Sequence, residues 1–533
     1  MADTTRPLGA QISHMLKDRG VDVIFGIPGV HNQEMYRGIE EAGITHVLAR
    51  HEQGAGFMAD GYARATGRMG VSYVITGPGL CNIMTPMGQA YSDSVPMLVL
   101  SSCLDETSAR RGQLHQMKDQ RGAAETVCDW SEEARTASAA YTLVDRAFTE
   151  AATLRPRPKH IQVPIATLTA DAPPPPAAPQ TGLTARPDSD PVGVERIAEA
   201  LRQARRPLFV LGGGAVGAAG LWTSLLDRLG AAAFTTYAGR GCVAPDYPLL
   251  FGSYLARPDS TKVFAQADLV VVVGSELAEV DLWKENLGQD CPMIRVDIDP
   301  AQLTGDGDPK SILHLGDAGR TFAAVSEALG DITPATGWRA ADVAATRARW
   351  RADVDAEYPG VLPIAEALKA CLPDGTMIYS DMTQFAYAAK EVWDMDRPGH
   401  WHHPYGFGTL GYALPAAIGG AVGRPGLPTM AIIGDYGFHY TLPELGVAVE
   451  LGLPLPILLW NNAKLGAIEA SMVGAQIAPN AVIARNPDFV KLAEAFGAGA
   501  TRPLSLDQMG AALRDAFAAE GPTLIHVTPD VLS

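Results

Sequence analysis

Positive charge is scarce in this sequence, and so are long apolar runs. Lysine and arginine number 42 against 59 aspartate and glutamate residues, which gives a formal net charge of −17. A chain this acidic repels nucleic-acid phosphates and anionic membrane surfaces, so we expect no nucleic acid and no membrane among its partners. No run stays apolar for the ~20 residues that a membrane-spanning helix needs, and the first residues lack the apolar segment of a signal peptide. These absences predict a cytoplasmic protein.

Cysteine is rare as well. The six cysteines are scattered among 533 residues, without a CxxC pair or a Cys/His cluster. This pattern argues against a zinc site and a disulfide framework, and it favours reduced thiols in the core. Hydrophobic residues make up 47% of the chain, which is enough for several buried cores. At roughly 100–200 residues per domain, the length predicts about three domains.

Apolar strand-like runs alternate with helical stretches along most of the chain. Such alternation is typical of parallel α/β sheets, which are covered by helices on both faces. The proline-rich stretch DAPPPPAAPQTG, from residue 171, predicts a surface linker without regular structure. We therefore predict an α/β protein of three doubly wound parallel-sheet domains, covering residues 1–170, 190–337 and 355–533.

Two polar motifs follow neighbouring strands in the third predicted domain. Asp435 comes directly after the strand-like run TMAIIG, and Asn461 and Asn462 follow the next run, PLPILLW. The carboxyl ends of parallel strands share one edge of a sheet, so these side chains should converge. Carboxylate and amide oxygens suit Mg²⁺, which also takes phosphate oxygens. Glycines around Asp435 would let a diphosphate approach the backbone, and a helix expected after Tyr440 would offer free N–H groups.

The first predicted domain contains a glutamate at the end of a strand. Glu52 opens the motif HEQGAGFMADGYAR, in which Gly54 and Gly56 allow close helix packing. A buried glutamate is costly unless it has a partner or a task. The glycine-rich turn VITGPGLCN follows the next strand. Each motif alone is also compatible with an ordinary turn or a surface residue.

Together these motifs resemble the acetolactate synthase-like superfamily of thiamine-diphosphate (ThDP) enzymes. The runs GIPG, HEQGAGFMADGYAR, TGPG, GFGTLGYALPAAIG and GDYG followed by NN occur in the order of that superfamily and span nearly the whole chain. Within it, runs such as GIPGVHN, QAYSDSVPMLVLSS and SDMTQFAY look most like the 5-guanidino-2-oxopentanoate (2-ketoarginine) decarboxylases. The resemblance implies the ThDP-binding fold, with a pyrimidine, a central and a diphosphate domain.

The resemblance also implies a role for each matched residue. Glu52 would hydrogen-bond the aminopyrimidine ring, Leu410 would bend the cofactor, and the Gly408 carbonyl would meet its amino group. Asp435, Asn462 and the Lys464 carbonyl would be the ligands of Mg²⁺. The other residues implied at the cofactor are Thr76, Gly77, Asn82, Gln384, Phe385, Gly434, Tyr436, Gly437 and Ile468. Tyr436 departs from the family, which has a small residue there, but its N–H should remain available to the diphosphate.

The predicted substrate pocket is rich in histidine. His115 and Gln116 match a loop that reaches the substrate, and His31 follows Val30, which replaces the acid of pyruvate decarboxylases. We predict His31, His115 and Gln116 as catalytic residues, because a histidine there can exchange a proton with the intermediate. The remaining pocket candidates are His403, Ala467, Ile468, Glu469 and Ser471. Glu469 is either a partner for a cationic substrate tail or a solvated helix residue.

Three functions stay open at this point. The resemblance favours ThDP- and Mg²⁺-dependent decarboxylation of a 2-keto acid to an aldehyde, with 5-guanidino-2-oxopentanoate as the candidate substrate. A carboligase of acetolactate synthase type shares the same motifs, although Ser471 stands where those synthases commonly have tryptophan. A ThDP-binding protein without catalysis would have no need of Glu52. The run GGGAVGAAG, residues 212–220, is only a weak dinucleotide-like turn, and we predict no FAD.

The predicted assembly follows from the position of the motifs. Glu52 and the pair Asp435 and Asn462 are in different predicted domains, and the cofactor must contact both. In the resembling family the two halves of a site come from two subunits, so we predict a homodimer or a homotetramer. We also expect the helix HEQGAGFMADGYAR to form part of the subunit interface.

Overall fold

The computed structural model describes residues 5–178, 186, 188–305 and 307–532. None of the helices in those ranges is long and apolar enough to cross a bilayer. The chain divides into two compact units. Unit 1 comprises residues 1–185, 371–383 and 403–533, and unit 2 comprises residues 186–370 and 384–402.

The N-terminal part of unit 1 is built on a parallel sheet. Its strands are β1 (Arg6–Pro7), β2 (Val23–Gly26), β3 (Thr45–Leu48), β4 (Gly70–Val74), β5 (Met97–Cys103), β6 (Trp130–Glu133), β7 (Lys159–Pro164) and β8 (Asp171–Ala172). Its helices are α1 (Leu8–Asp18), α2 (Gln33–Glu41), α3 (Glu52–Thr66), α4 (Pro78–Asp93), α5 (Gln120–Glu125), α6 (Ala137–Thr153) and α7 (Ile165–Thr169). The N-terminal sheet has the order β3-β2-β4-β5-β7-β6, and β1 pairs separately with β8.

The start of the proline-rich stretch is more ordered than its composition predicts. Asp171 and Ala172 form β8, which pairs antiparallel with β1. The hydroxyl of Tyr141 then donates a hydrogen bond to the carbonyl of Pro173 at 2.7 Å. The prediction that no regular element forms there is therefore wrong for its first two residues, because β1 supplies the backbone partners. Residues 179–182 of the stretch lie outside the described residues.

Unit 2 contains the middle sheet. Its elements are α8 (Pro191–Gln203), β9 (Pro207–Leu211), α9 (Ala219–Leu229), β10 (Ala232–Thr235), β11 (Leu250–Gly252), α10 (Thr261–Phe264), β12 (Leu269–Val273), α11 (Glu279–Leu282), β13 (Met293–Asp297), β14 (Ile312–Leu315), α12 (Ala318–Leu329), α13 (Ala340–Glu357), α14 (Val361–Cys371, whose last residue falls in unit 1), α15 (Gln384–Val392) and β16 (Trp401–His402). The middle sheet is parallel, with the order β11-β10-β9-β12-β13-β14. This 3-2-1-4-5-6 order is that of dinucleotide-binding folds.

The glycine run at residues 212–220 has a packing role in this sheet. Gly212 and Gly214 follow β9, and a Cβ atom at either position would lie within 2.8 Å of Gly274 after the neighbouring strand β12. The two loops pass each other backbone to backbone, which requires glycine.

The C-terminal part of unit 1 carries the third parallel sheet. Its elements are β15 (Met377–Ser380), α16 (Ala413–Gly423), β17 (Thr429–Gly434), α17 (Asp435–Thr441), α18 (Leu445–Glu450), β18 (Pro456–Trp460), α19 (Gly466–Gly474), α20 (Phe489–Ala495), β19 (Gly499–Thr501), α21 (Leu506–Phe517) and β20 (Thr523–Val527). The five strands of unit 1 in this C-terminal sheet have the order β15-β17-β18-β20-β19. The same order relates β2, β4, β5, β7 and β6 in the N-terminal sheet. Unit 1 thus contains two sheets of one topology, and the predicted class of three parallel α/β sheets is confirmed.

Helices α3 and α16 pack against each other between the two sheets of unit 1. A Cβ atom on Gly61 would lie 1.9 Å from the carbonyl oxygen of Ala416, and one on Gly419 would lie 1.9 Å from that of Met58. The helix backbones therefore touch where they cross. Residues of both helices, among them Phe57 and Leu414, belong to one buried apolar core. Most of α3 is buried within its own chain, and a part for this helix in a subunit interface stays a prediction.

Candidate functional site

Glu52 is the first residue of α3 and follows β3 after a short turn. Its side chain is buried, and Asn82 Nδ2 in α4 donates a hydrogen bond to Glu52 Oε2 at 2.9 Å. The helix is capped by His51, whose Nδ1 accepts the N–H of Gln53 at 3.1 Å. A helix N-terminus favours an anionic side chain. The structure thus brings together Glu52 and Asn82, which the sequence places in separate motifs.

A second buried acid, Glu444, lies beside this helix end and was not predicted. Its carboxylate accepts backbone N–H groups from Arg50 and His51, at distances of 2.9–3.2 Å. Burial, with a smaller contribution from the neighbouring charge of Glu52, raises the pKa of Glu444 to about 7. The end of α3 that carries Glu52 is therefore fixed by a residue from the C-terminal part of unit 1.

Thr76 and Gly77 form the turn after β4. The Thr76 hydroxyl hydrogen-bonds the Ser102 hydroxyl at 2.8 Å, and the Gly77 N–H donates to Gln120 Oε1 at 2.8 Å. Ser102 belongs to the next strand, β5, and Gln120 begins α5. The turn that precedes α4 is thus held from two sides.

His31 and His115 lie together above the N-terminal sheet. Their rings meet edge to face with centroids 4.9 Å apart, and both Nδ1 atoms are buried without a protein hydrogen-bond partner in the described part of the chain. Burial and the neighbouring ring lower the pKa of His31. Gln116 is placed differently, because its amide bonds the backbone of residues 107, 110 and 113 in its own loop. Of the three predicted catalytic residues, the two histidines form a pair with unused ring nitrogens.

Gly408 and Leu410 belong to the segment that leads into α16. Gly408 has a left-handed backbone with φ of +67°, and Leu410 is half-buried. The next N–H, of Gly411, donates to Asp381 Oδ2 at 2.8 Å, and the Gly411 carbonyl accepts from Thr441 Oγ1 at 2.8 Å. Gly411, the residue after Leu410, therefore has both its N–H and its carbonyl held by hydrogen bonds.

Two acids from the N-terminal part of unit 1 hold the ends of the same segment. Asp93 accepts the backbone N–H groups of residues 405 and 406, at 3.2 Å and 3.0 Å. Asp60 accepts the hydroxyl of Tyr412 at 2.8 Å. Arg64 joins both acids, with its guanidinium 2.7 Å from Asp60 and 2.8 Å from Asp93. Sequence reasoning missed this network because its acids lie within ordinary helical motifs.

Asp435 lies at the carboxyl end of β17, as the sequence predicts. It is the first residue of α17, so one helix begins at the motif itself, and a second helix, α18, follows Tyr440 as expected. Its side chain is 3% exposed, and burial raises the pKa of its carboxyl. The backbone N–H of Tyr436 acts against that rise and lowers the pKa, and its binding to the diphosphate stays a prediction. No Lys or Arg side chain of the described residues forms an ion pair with Asp435.

Asn486 connects Asp435 to the neighbouring strand end. Its Nδ2 donates to Asp435 Oδ2 at 2.6 Å and to Asn461 Oδ1 at 3.0 Å. A carboxylate oxygen and an amide oxygen therefore converge on one point. Asn486 was not predicted, because it lies in a loop without a recognisable pattern. The adjacent Gly437 contacts Asp381, whose Oδ2 would be 2.4 Å from a Cβ atom at that position.

Asn462 and Lys464 follow β18 as predicted. Asn462 Oδ1 accepts the N–H of Lys464 at 3.3 Å. The Lys464 ammonium forms an ion pair with Glu469 at 2.6 Å, so Glu469 already has a cationic partner within the chain. Ile468, on the same helix, is 49% exposed.

The remaining predicted site residues are more dispersed. Gln384 and Phe385 begin α15, which belongs to unit 2. His403 is buried in unit 1, and its Nδ1 hydrogen-bonds Ser380 Oγ at 2.9 Å. Ala467 and Ser471 are exposed on α19.

The residues at the two strand ends fit a metal-bound diphosphate. Within the described ranges, no three His, Cys, Asp or Glu side chains cluster to hold a metal. Hard cations that keep phosphate oxygens and water need fewer protein ligands. The buried carboxylate of Asp435 has only amide and N–H partners, and the amide oxygen of Asn461 converges with it. The charge of Asp435 is therefore left for such a cation to neutralise.

Comparison with known families identifies three domains. Residues 6–123 match the thiamine pyrophosphate enzyme N-terminal TPP binding domain, residues 194–325 match the central domain, and residues 381–527 match the C-terminal TPP binding domain. The chain therefore belongs to the thiamine pyrophosphate enzymes, whose cofactor is ThDP, and the predicted resemblance is confirmed.

The relatives extend over the whole chain. A probable 2-ketoarginine decarboxylase, AruI, of Pseudomonas aeruginosa is 42% identical, across 98% of this chain and 94% of the relative. The large subunit of acetolactate synthase isozyme 2 of Escherichia coli is 30% identical, across 98% and 96%. The mitochondrial catalytic subunit of acetolactate synthase of Saccharomyces cerevisiae is 29% identical, across 98% and 80%.

Proposed function

We propose that this protein decarboxylates 5-guanidino-2-oxopentanoate to the corresponding aldehyde, using ThDP and Mg²⁺. The observation that carries this proposal is the 42% identity to a probable 2-ketoarginine decarboxylase over nearly the full length of both chains. The hydrogen bond between Asn82 and the buried Glu52 supports it, because a protein that only bound the cofactor would not need an acid at this helix end.

The residues of the chain divide the work between two sheet edges. Glu52 holds a proton at the pyrimidine ring, and Asn82 orients its carboxylate. Asp435, Asn462 and the Lys464 carbonyl hold Mg²⁺ and through it the diphosphate. ThDP, when bound, supplies the electron sink that loss of CO₂ requires.

We assign proton transfer at the substrate to His31 and His115. Their rings are in contact, and burial together with the neighbouring ring lowers the pKa of His31, which favours its neutral form. Their free Nδ1 atoms support this role. Gln116 is proposed to shape the loop that carries His115.

A panel of 2-keto acids tests the substrate. The purified protein with ThDP and Mg²⁺ should release CO₂ and aldehyde from 5-guanidino-2-oxopentanoate at a kcat/KM at least tenfold above that for its neutral, guanidine-free analogue. Equal rates with both acids would refute recognition of the guanidinium group. Omission of Mg²⁺ after chelation should abolish turnover.

A carboligase is the second candidate. The 30% identity to an acetolactate synthase large subunit favours it. The same panel distinguishes the two functions, because a carboligase given pyruvate yields an acyloin acid and a decarboxylase yields free aldehyde. Acyloin as the main product would replace the first proposal by the second.

We also propose that residues 1–170, 190–337 and 355–533 are the pyrimidine, central and diphosphate domains, and that sites are shared between subunits of a homodimer or homotetramer. Exposed apolar side chains in unit 1, such as Val30, Leu114 and Ile483, support an interface there. Inactive Glu52→Gln chains mixed with inactive Asp435→Ala chains should regain activity, since a mixed dimer has one intact site. No recovery despite proven subunit exchange would place each site within one chain.

A cytoplasmic location remains part of the proposal. All six cysteines are unpaired, which suits a reducing compartment. Fractionation of the source cells tests it.

A further inference from the structure

The backbone immediately before Glu52 is held by a single side chain. Arg50 N lies 3.2 Å and 3.1 Å from the two carboxylate oxygens of Glu444, and His51 N lies 2.9 Å from Oε1. An α-helix leaves N–H groups near its start without an intrahelical partner. Glu444 accepts two N–H groups at that point, although 394 residues separate it from Arg50 in sequence.

Glu444 is an unusual residue to bury. Its side chain is 1% exposed, and no ion pair to it exists among the residues that the structure describes. Burial without an ion pair is unfavourable for a carboxylate unless hydrogen bonds compensate. The two peptide N–H groups are that compensation. These N–H groups can donate to a protonated as well as to an ionised carboxyl, because an oxygen of the carboxyl accepts in both states.

The helix is built to admit this side chain. A Cβ atom on Gly54 would lie 2.2 Å from Glu444 Oε1, so the glycine leaves the space that the carboxyl occupies. Gly54 is in the first turn of α3, directly after Glu52 and Gln53. The carboxyl of Glu444 is therefore enclosed between the residues that precede Glu52 and those that follow it.

We propose that Glu444 is a positioning residue, which sets the place of Glu52 at the cofactor by holding the peptides of Arg50 and His51. This inference rests on the proposed role of Glu52. The role of Glu444 differs from that of Glu52, because Glu444 acts through the backbone. The position of Glu52 then depends on contact between the N-terminal and C-terminal parts of unit 1.

Substitutions at residue 444 test the proposal, with a control on a neighbouring acid. Glu444→Ala removes both acceptors, and Glu444→Gln keeps an oxygen for the N–H groups without an ionisable group. Glu450→Gln is the matched control: Glu450 is 57% exposed and pairs with the Arg50 side chain, so its loss leaves the backbone bonds intact.

Two measurements are independent of the keto acid. Amide hydrogen exchange of residues 48–54, in protein without added cofactor, reports whether the peptides are held. The rate at which bound ThDP exchanges its C2 proton for deuterium reports whether Glu52 is in place. Calorimetric titration of ThDP gives the affinity separately.

We expect Glu444→Ala to lose protection of the 48–54 segment and to slow C2 exchange about 10- to 100-fold, because a misplacement of about 1 Å has such effects. ThDP affinity should fall less than threefold, and Glu444→Gln should keep most of the exchange rate. Unchanged C2 exchange in Glu444→Ala would overturn the proposal. A Gln variant as slow as the Ala variant would also overturn it, since the role would then need an ionisable group.

Glu444→Asp covers the case in which Glu444→Ala does not fold. Its shorter side chain withdraws the oxygens from the two N–H groups but keeps the acid, so C2 exchange should slow. A wild-type rate in Glu444→Asp would contradict positioning. If the wild-type protein exchanges C2 but does not act on 5-guanidino-2-oxopentanoate, the proposed substrate fails and the positioning role stands.

Discussion

Helices α3 and α16 cross within unit 1, and a buried acid holds the N-terminal end of each. Glu444 accepts N–H groups before α3, and Asp381 accepts the N–H of Gly411, two residues before α16. Burial raises the pKa of both acids to about 7. The two acids differ in their relation to the helix that they hold. Asp381 and α16 both belong to the C-terminal part of unit 1, whereas Glu444 belongs to the C-terminal part and α3 to the N-terminal part.

This difference separates two ways of fixing a functional segment. The start of α16, with Leu410 just before it, is held within the C-terminal sheet. The start of α3, with Glu52 at its first position, is complete only when the N-terminal and C-terminal parts have associated. Loss of Asp381 should therefore harm folding, and loss of Glu444 should harm function.

The largest expected effect follows substitution of Glu52, the first residue of α3. Glu52→Gln should lower turnover about 100-fold or more, because general acid–base catalysis contributes 10²–10⁴-fold and an amide does not share a proton as a carboxyl does. ThDP affinity should change little. Steady-state kinetics and calorimetric titration check both points, and near-normal turnover would remove Glu52 from the mechanism.

The second-largest expected effect concerns the contact between α3 and α16. Gly61→Val should destabilise the protein by about 3 kcal/mol or more, because overpacking of a close contact costs 1–3 kcal/mol when neighbours can shift and here the obstacle is the Ala416 backbone. Thermal unfolding measures the loss. Gly217→Val is the control, since open space surrounds that position. Equal melting temperatures for the two variants would mean that the backbones of α3 and α16 do not touch.

A smaller effect should separate the two acids. Asp381→Ala leaves the N–H groups of Met382 and Gly411 without this acceptor, at about 1–3 kcal/mol for an unsatisfied group, and should lower the melting temperature. Glu444→Ala should lower it less while slowing C2 exchange more. The reverse order would show that the origin of the acid has no bearing on its role.

The smallest effect is on pH dependence. Both acids have a raised pKa in the folded protein, so the stability that they contribute is full at low pH and is lost as pH rises towards 7. Glu444→Gln and Asp381→Asn do not titrate. Their melting temperatures relative to wild type should therefore rise by about 2–4 °C between pH 5 and pH 8. A fall over that interval would contradict the raised pKa values, and Glu450→Gln should follow wild type.

The sequence predicts those parts of the site that lie at strand ends. Glu52 follows β3 and Asp435 follows β17, because a parallel sheet places such residues at one edge and the pattern is local. Glu444, Asp93, Asp381 and Asn486 were not predicted. Their partners lie far away in sequence or in loops, and nothing in the neighbouring residues marks an acid that will be buried against distant backbone.

The three sheets show the same limit. Continuous apolar runs predict parallel strands, but they do not reveal that the first and third sheets share one strand order and that the middle sheet has another. The order depends on which crossovers pack together, and the residues next to each strand do not specify that packing.

The acids that hold backbone across unit 1 also bear on how this protein can be recombined with its relatives. Glu444, in the C-terminal part, accepts the N–H groups of Arg50 and His51. Asp93, in the N-terminal part, accepts those of residues 405 and 406. Each part of the unit thus contributes an acceptor to the other. A chimaera that exchanges only the C-terminal part inherits a new residue 444 with the old residues 50–54. Such chimaeras should fold well yet vary widely in turnover. Breakpoints that move residues 50–54 and 444 as a pair, and likewise residues 93 and 405–406, should retain the parental rate.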